Sequence, residues 1–347
     1  MKKNKEMLNN FTKVYIIAEA GVNHNGDIAL AKQLIDGAKE AGVDCVKFQT
    51  WITEDIIDIS APKANYQLKN DGEDSSQFDM LKRLELSFDD FLELKKHAEK
   101  IDIQFLSTPD EKRSLDFLAD EMKLPIIKIG SGEMNNFLFL RQVAMKGLPV
   151  ILSTGMSTLA DVEKAYTILK NNGCPEIAIL HCTSEYPAPY DSVNLRVINT
   201  LEEKFNTVVG YSDHTEGIEI SLAAVALGAR IIEKHFTIDK SLPGPDHNAS
   251  IDVRELKEMV RSIRNIEKSI GDGVKKPYIT ELETKKIVQK GLFLSEDKKQ
   301  GDLITIDSLV GKRPVIYARI DEADFYIGKY LNKDLKKGSP ISEKDII

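Results

Sequence analysis

Cysteine is scarce in this chain: its 347 residues include three, Cys45, Cys174 and Cys182, an odd number without CxxC spacing. That argues against a disulfide framework and against a structural zinc site, and leaves each thiol as a small buried apolar residue. Long apolar runs are missing too, since none approaches the about 18 residues that a membrane span requires. Excess positive charge is absent: 47 Lys and Arg stand against 55 Asp and Glu, a net charge of −8 that gives no sign of a nucleic-acid partner. The opening stretch, MKKNKEMLNNFTK, is basic but lacks the apolar core of a signal peptide, so a cytoplasmic location is expected. Tryptophan occurs once, at Trp51.

What is present is an alternation. Short β-branched runs at 14–21, 44–50, 103–109, 125–132, 149–156, 176–183, 207–214 and 230–237 are separated by longer stretches with apolar residues at helical spacing, such as 30–42 and 217–229. Eight continuous apolar strands, each followed by a helix, predict a (β/α)8 TIM barrel over residues 1–270. One connection, 51–87, is too long for a simple turn and reads as a lid or substrate loop. A Gly/Pro/Lys-rich linker (271–289), containing a short charged helix from 280, leads to a small β-rich domain at 290–347. Within it two phrases recur, DKKQGDLITIDSL (297–309) and DLKKGSPISEKDI (334–346).

Barrel chemistry sits at the C-terminal ends of the strands. There the sequence places Glu19; Lys47 and Gln49; Ser107 and Thr108; Lys128, Ser131 and Glu133; Ser153 and Thr154; His181 and Thr183 with Glu185 and Tyr186 beyond; Ser212, Asp213 and His214; and Lys234 with His235. Lys47 and Lys128 are flanked by apolar residues, and a buried ammonium needs an acidic partner or an anionic ligand. Neighbouring hydroxyls make phosphate and carboxylate the natural guests. His214 and His235, 21 residues apart at the ends of successive strands, are placed to share a divalent metal, with Glu19 and water completing its shell. Asp213 alternates away from His214, and His24, in the first loop, reads as a substrate or structural contact.

The phrases AEAGVNHNG, VKFQT, FLSTP, KIGSGE, LSTGM, HCTSEYPAP, GYSDHTEG, IEKHFT and PGPDH occur in the order seen in bacterial sialic acid synthases, which the chain resembles over nearly its whole length. The tail resembles their antifreeze-like (SAF) domain. The resemblance implies condensation of phosphoenolpyruvate with an N-acylated mannosamine-type sugar. N-acetylmannosamine, giving N-acetylneuraminate, is the first expectation, and the alternative is the 2,4-diacetamido-2,4,6-trideoxymannose that leads to N,N'-diacetyllegionaminate. It further implies metal ligation by His214 and His235, with Mn²⁺ ahead of Mg²⁺ or Co²⁺. Phosphoenolpyruvate would be held by Lys47, Thr108, Lys128, Ser131, Ser153 and Ser212, and by Ser184 where some relatives have Asn. The sugar would meet Glu19, Gln49, Glu133, Tyr186, Asp246 and, from the SAF domain of a partner in a domain-exchanged homodimer, Arg313. In this chain Arg313 opens the phrase RPVIYARI (313–320), where the family has a Gly-containing loop. The catalytic groups implied are Glu19, Lys47, Lys128 and Glu133. Three rivals remain: a Schiff-base aldolase using Lys47 or Lys128, a synthase acting on a phosphorylated aldose, and a non-catalytic sugar-binding protein.

Overall fold

The structure is a computed structural model that describes residues 7–8, 11–62 and 76–347. It divides into two compact units, Met1–Gly271 and Asp272–Ile347.

In the first unit eight parallel strands run β1 (Tyr15–Gly21), β2 (Cys45–Thr50), β3 (Gln104–Pro109), β4 (Ile127–Ile129), β5 (Val150–Ser153), β6 (Ile177–Cys182), β7 (Val209–Asp213) and β8 (Ile231–Thr237). Their order, β3-β2-β1-β8-β7-β6-β5-β4, makes a ring in which β8 pairs with β1 in parallel register, Ile17 beside Glu233 and Glu19 beside His235. This is a nearly closed (β/α)8 TIM barrel. All eight expected strands are present, and their ends differ from the sequence-based ranges by at most three residues. The helices form for ordinary reasons. Ile28–Ala41 starts where the Asp27 side chain accepts from Ala29 N and ends at Gly42 in the left-handed conformation, φ 80°. Its buried face, Ala31, Leu34, Ile35, Ala38 and Ala41, follows helical spacing and packs into the layer between strands and helices.

A second, smaller apolar cluster fills the barrel interior: Ile17, Cys45, Leu106, Ile151, Leu180 and Ile231, each from a different strand, with Ile126 immediately before β4. Gly210 completes this layer because a Cβ there would lie 2.4 Å from Ile231 O and 2.6 Å from Leu180 Cδ2. The long connection after β2 holds helices Thr53–Ile56 and Gln77–Leu84, and Trp51, Met80 and Leu84 pack together with Val22. Most of its polar stretch, NYQLKNDGEDSSQ, lies outside the described residues.

In the second unit the short helix Ile279–Val288 precedes an antiparallel pair, β9 (Gly291–Leu294) with β10 (Leu309–Lys312), over a core that includes Leu292, Leu294, Ile304, Leu331 and Ile341. The two recurring phrases face each other. Lys298 and Leu335 exchange backbone hydrogen bonds, 2.9 Å each way. Asp297 accepts from Lys337 N at 2.8 Å, and Asp334 accepts from Gln300 N at 2.9 Å. The repeat is therefore two similar turns, each capped by the acidic residue of the other.

Candidate active site

Side chains of a strand alternate between two faces, so the residue two places beyond each interior apolar residue is again interior. Applied to the apolar layer, this rule gives Glu19, Lys47, Thr108, Lys128, Ser153, Cys182, Ser212 and Glu233. All eight line one cavity of about 280 Å³ at the C-terminal ends of the strands. One step further along, Gln49, His214 and His235 join them, with Asp110, Ser131, Ser184 and Tyr186 supplied by the loops. A larger groove, about 680 Å³, lies at the other end of the barrel beside Val14 and Arg230, where Arg264 is paired with Glu267 at 3.2 Å.

The same alternation corrects several expectations. Lys234 points outward: its Nζ lies 3.1 Å from Asp213 Oδ2, and both side chains are fully buried. Asp213 also accepts from Thr215 N, Thr215 Oγ1 and, on helix Glu219–Ala226, Ser221 Oγ. This buried pair fastens β7 and β8 to the helix layer. His181 faces out as well and meets Val193 O at 2.5 Å. Thr154 bonds Leu180 O, and Ser107 bonds Thr50, so neither lines the cavity. Glu133 accepts from Asn136 Nδ2 at 2.7 Å and stands just outside the cavity, while Asp246 faces His235 Nδ1 at 3.8 Å. Arg313 is exposed in the second unit. His24 is buried with Nδ1 accepting from Gly26 N at 3.0 Å, and burial lowers its pKa to about 4, the profile of a structural residue.

Sequence reasoning missed Glu233. It sits 3.5 Å from Lys128 Nζ and 3.7 Å from Lys47 Nζ, and it accepts from Ser212 Oγ at 3.0 Å. The signal was the period-two rule applied to IIEKHF, which selects Glu233 with His235 and excludes Lys234. Lys47 also lies 2.8 Å from Glu19 Oε2 and donates to Thr108 Oγ1 at 3.1 Å, while Lys128 donates to Ser153 Oγ at 2.7 Å. Burial alone pulls the pKa of both lysines down. Glu19 and Glu233 outweigh it at Lys47, whose pKa is raised. At Lys128 burial prevails and the pKa falls. Burial, followed by the pull of Lys47 and the push of Glu233, leaves Glu19 raised. Glu233 is also disfavoured by burial, yet Lys128 and Lys47 hold it well below the carboxylate range. Asp110 was missed as well: burial, with Glu133 near it, pushes its carboxyl up to about 7.

Close approach explains the glycine in LSTGM. A Cβ at Gly155 would lie 2.1 Å from Ser184 Oγ and 2.9 Å from Ser131 Oγ, and Gly155 N donates to Ser131 Oγ. Tyr186 lies against His214 with ring centroids 4.1 Å apart and meets His235 edge-on at 5.5 Å.

The two imidazoles, 5.4 Å apart between centroids, fit a divalent ion. His214 Nδ1 bonds Thr183 O at 2.7 Å, which assigns the proton to that nitrogen and leaves Nε2 its lone pair. His235 Nδ1 is buried without a hydrogen-bond partner, and burial, with His214 and Lys47 near, holds His235 neutral. Glu19, expected to complete the shell, is engaged by Lys47 and by Gln49 Nε2 at 3.1 Å. Among the described residues no group of three or more His, Cys, Asp or Glu is placed to hold an ion. The protein would therefore supply two nitrogens, with water or substrate supplying the remaining ligands.

Residues 34–275 match the NeuB family. The chain is 46% identical over 333 residues to the N,N'-diacetyllegionaminic acid synthase of Campylobacter jejuni, covering 95% of this chain and 99% of that protein. It is 44% identical over 331 residues to the protein of that description from Legionella pneumophila, covering 94% and 93%. The crystal structure of an N-acetylneuraminic acid (sialic acid) synthetase from Leptospira borgpetersenii, in complex with citrate, matches with a TM-score of 0.69 at 38% identity, covering 79% of this chain and 90% of that one.

Proposed function

The chain belongs to the NeuB family, and on that premise we propose that it condenses phosphoenolpyruvate, an N-acylated mannosamine-type sugar and water into a nine-carbon sialic acid and phosphate. One observation carries this reading: two buried lysines from β2 and β4 face a single cavity beside two imidazoles, one just past β7 and one from β8. The Schiff-base aldolase leaves the imidazole pair unexplained. Of the two acceptors, 2,4-diacetamido-2,4,6-trideoxymannose now stands first, because the two legionaminic acid synthases are 46% and 44% identical over nearly the whole chain. N-acetylmannosamine is the second reading, supported by the 38% identical sialic acid synthetase. The second unit would be the SAF domain, with Arg313 reaching the sugar of a partner subunit.

In this mechanism Lys47 and Lys128 bind the phosphate and carboxylate, and the hydroxyls of Thr108, Ser131, Ser153, Ser184 and Ser212 fix their orientation. A divalent ion on His214 and His235, Mn²⁺ being the first candidate, would supply Lewis acidity toward the open-chain sugar aldehyde. Carbon 3 of phosphoenolpyruvate forms the new bond to sugar carbon 1, and water adds at carbon 2 of the phosphoenolpyruvate unit. Phosphate then leaves with cleavage of the C–O bond. Glu19, with its raised pKa, orients the water and takes its proton. Tyr186, Gln49, Glu133 and Asp246 hold the sugar.

The test is phosphate release from phosphoenolpyruvate with each sugar, run in ¹⁸O-water. The expected result is release that requires sugar, with the label in the sialic acid. Label in the phosphate, or no sugar dependence, would refute the reading.

A further inference from the structure

The cavity floor is electrically balanced rather than cationic. Lys47 and Lys128 face two carboxylates, Glu19 and Glu233, and all four side chains are at most 5% exposed. Each ammonium has three N–H donors. Lys47 directs its shorter contacts to Glu19 Oε2 at 2.8 Å and Thr108 Oγ1 at 3.1 Å, and Lys128 directs its own to Ser153 Oγ at 2.7 Å and Ile129 O at 3.2 Å. What remains of each faces Glu233, across 3.7 Å and 3.5 Å, longer than a good N–H···O bond. Glu233 is itself fixed: Ser212 Oγ donates to it at 3.0 Å, and strand register places those two residues side by side. Glu19 cannot replace it, because among the described residues its ion pair is with Lys47 alone.

We infer that Glu233 is a positioning residue, a built-in counter-anion that offsets the mutual repulsion of the two lysines and leaves one donor on each for an incoming phosphate or carboxylate. It weakens anion binding on purpose. An anion held equally tightly before and after reaction gains nothing in turnover, and tightly held phosphate slows its own departure. This inference rests on the proposed condensation for its kinetic half, while its binding half concerns anions of any origin.

Glu233→Gln keeps the shape and an acceptor for Ser212 but removes the charge. Titration calorimetry with inorganic phosphate, and kcat with phosphoenolpyruvate and the better sugar, are measured on both chains. A unit charge removed within about 5 Å of the bound anion should tighten phosphate binding by at least ~10-fold. Lysines displaced by their unopposed repulsion, and slower phosphate release, should lower kcat by at least ~10-fold. A purely structural defect would weaken binding and turnover together, so the opposite signs are the diagnostic. Phosphate affinity that is unchanged or weaker, or kcat that is unchanged, overturns the inference. Glu233→Asp keeps the charge and serves if the Gln variant does not fold: its phosphate affinity should stay within about threefold of the parent, and a tenfold tightening would overturn the inference. A parent chain that binds phosphate but turns over neither sugar would sink the proposed function while leaving the binding comparison to decide on Glu233. If no chain binds millimolar phosphate, the inference falls.

Discussion

Replacing Lys234 by Met separates the two faces of β8. The Lys234 and Asp213 side chains are both at 0% exposure with Nζ 3.1 Å from Oδ2, and Lys234 Nζ also donates to Thr215 O at 2.5 Å. Removing one partner of a buried ion pair costs about 3–5 kcal/mol, because the other charge stays buried. Asp213 keeps its bonds from Thr215 N, Thr215 Oγ1 and Ser221 Oγ at 2.9, 2.7 and 2.6 Å, which favours the lower end of that range. The freed Thr215 carbonyl adds roughly 1 kcal/mol. The expected loss is therefore about 3–4 kcal/mol, equivalent to a fall in Tm of about 10 °C for a domain of this size. Thermal and urea unfolding would measure it. Lys234→Met with Asp213→Leu should recover much of the loss, since an apolar pair of similar volume replaces a buried ion pair at little cost. Turnover per folded molecule should change less than about threefold. A Lys234→Met chain with a native Tm and turnover reduced about 100-fold would show that Lys234 faces the site, and the assignment of inner and outer residues would be wrong.

His214→Ala and His235→Ala should each abolish stoichiometric Mn²⁺ binding, read by equilibrium dialysis, and reduce turnover by at least ~10²-fold while the fold persists; near-normal metal content in either variant refutes the shared site. Asp110 gives a pH signature. Its pKa rises from 3.8 to about 7 on folding, so the stability it contributes is full below the unfolded value and is lost as pH climbs from about 4 through 7. Discounted for its partial exposure, Asp110→Asn should gain roughly 1 kcal/mol more over the parent at pH 8 than at pH 5 in urea unfolding, and an equal gain at both pH values refutes it. Arg313→Ala mixed with Lys128→Ala should regain about half of parental activity per confirmed heterodimer if Arg313 works on a partner's sugar, since one of the two sites in a mixed dimer is then intact; absence of rescue would count against domain exchange.

Much of the site was legible without coordinates. Lys47, Lys128, Ser153, Ser212, His214 and His235 stand at the ends of β-branched runs, and all line the cavity. The errors share one cause. Strands of a parallel barrel are buried on both faces and read as continuous apolar runs, so hydrophobicity does not mark which residues point inward. Lys234 beside His235 looked equally placed at the rim, yet that pair splits between the helix layer and the cavity. Glu233 was overlooked because a carboxylate inside IIEKHF has no local partner. Its partners, Lys47 and Lys128, are more than 100 positions away in the chain. Asp110, just past FLSTP, reads locally as an ordinary loop acid, and only burial near Glu133 distinguishes it.

Sequence alone determined the period of the chain, the eight strands, the change of texture near residue 271 and the types of group delivered to one rim. Those follow from local propensity and alternation, which each segment carries by itself. Tertiary structure decided the phase of every strand, the charge balance of the cavity floor, the burial that raises Glu19 and Asp110, and the lysine neighbours that lower Glu233. Charge balance and pKa depend on distances between residues remote in the chain, and those distances exist only once the barrel closes β8 onto β1.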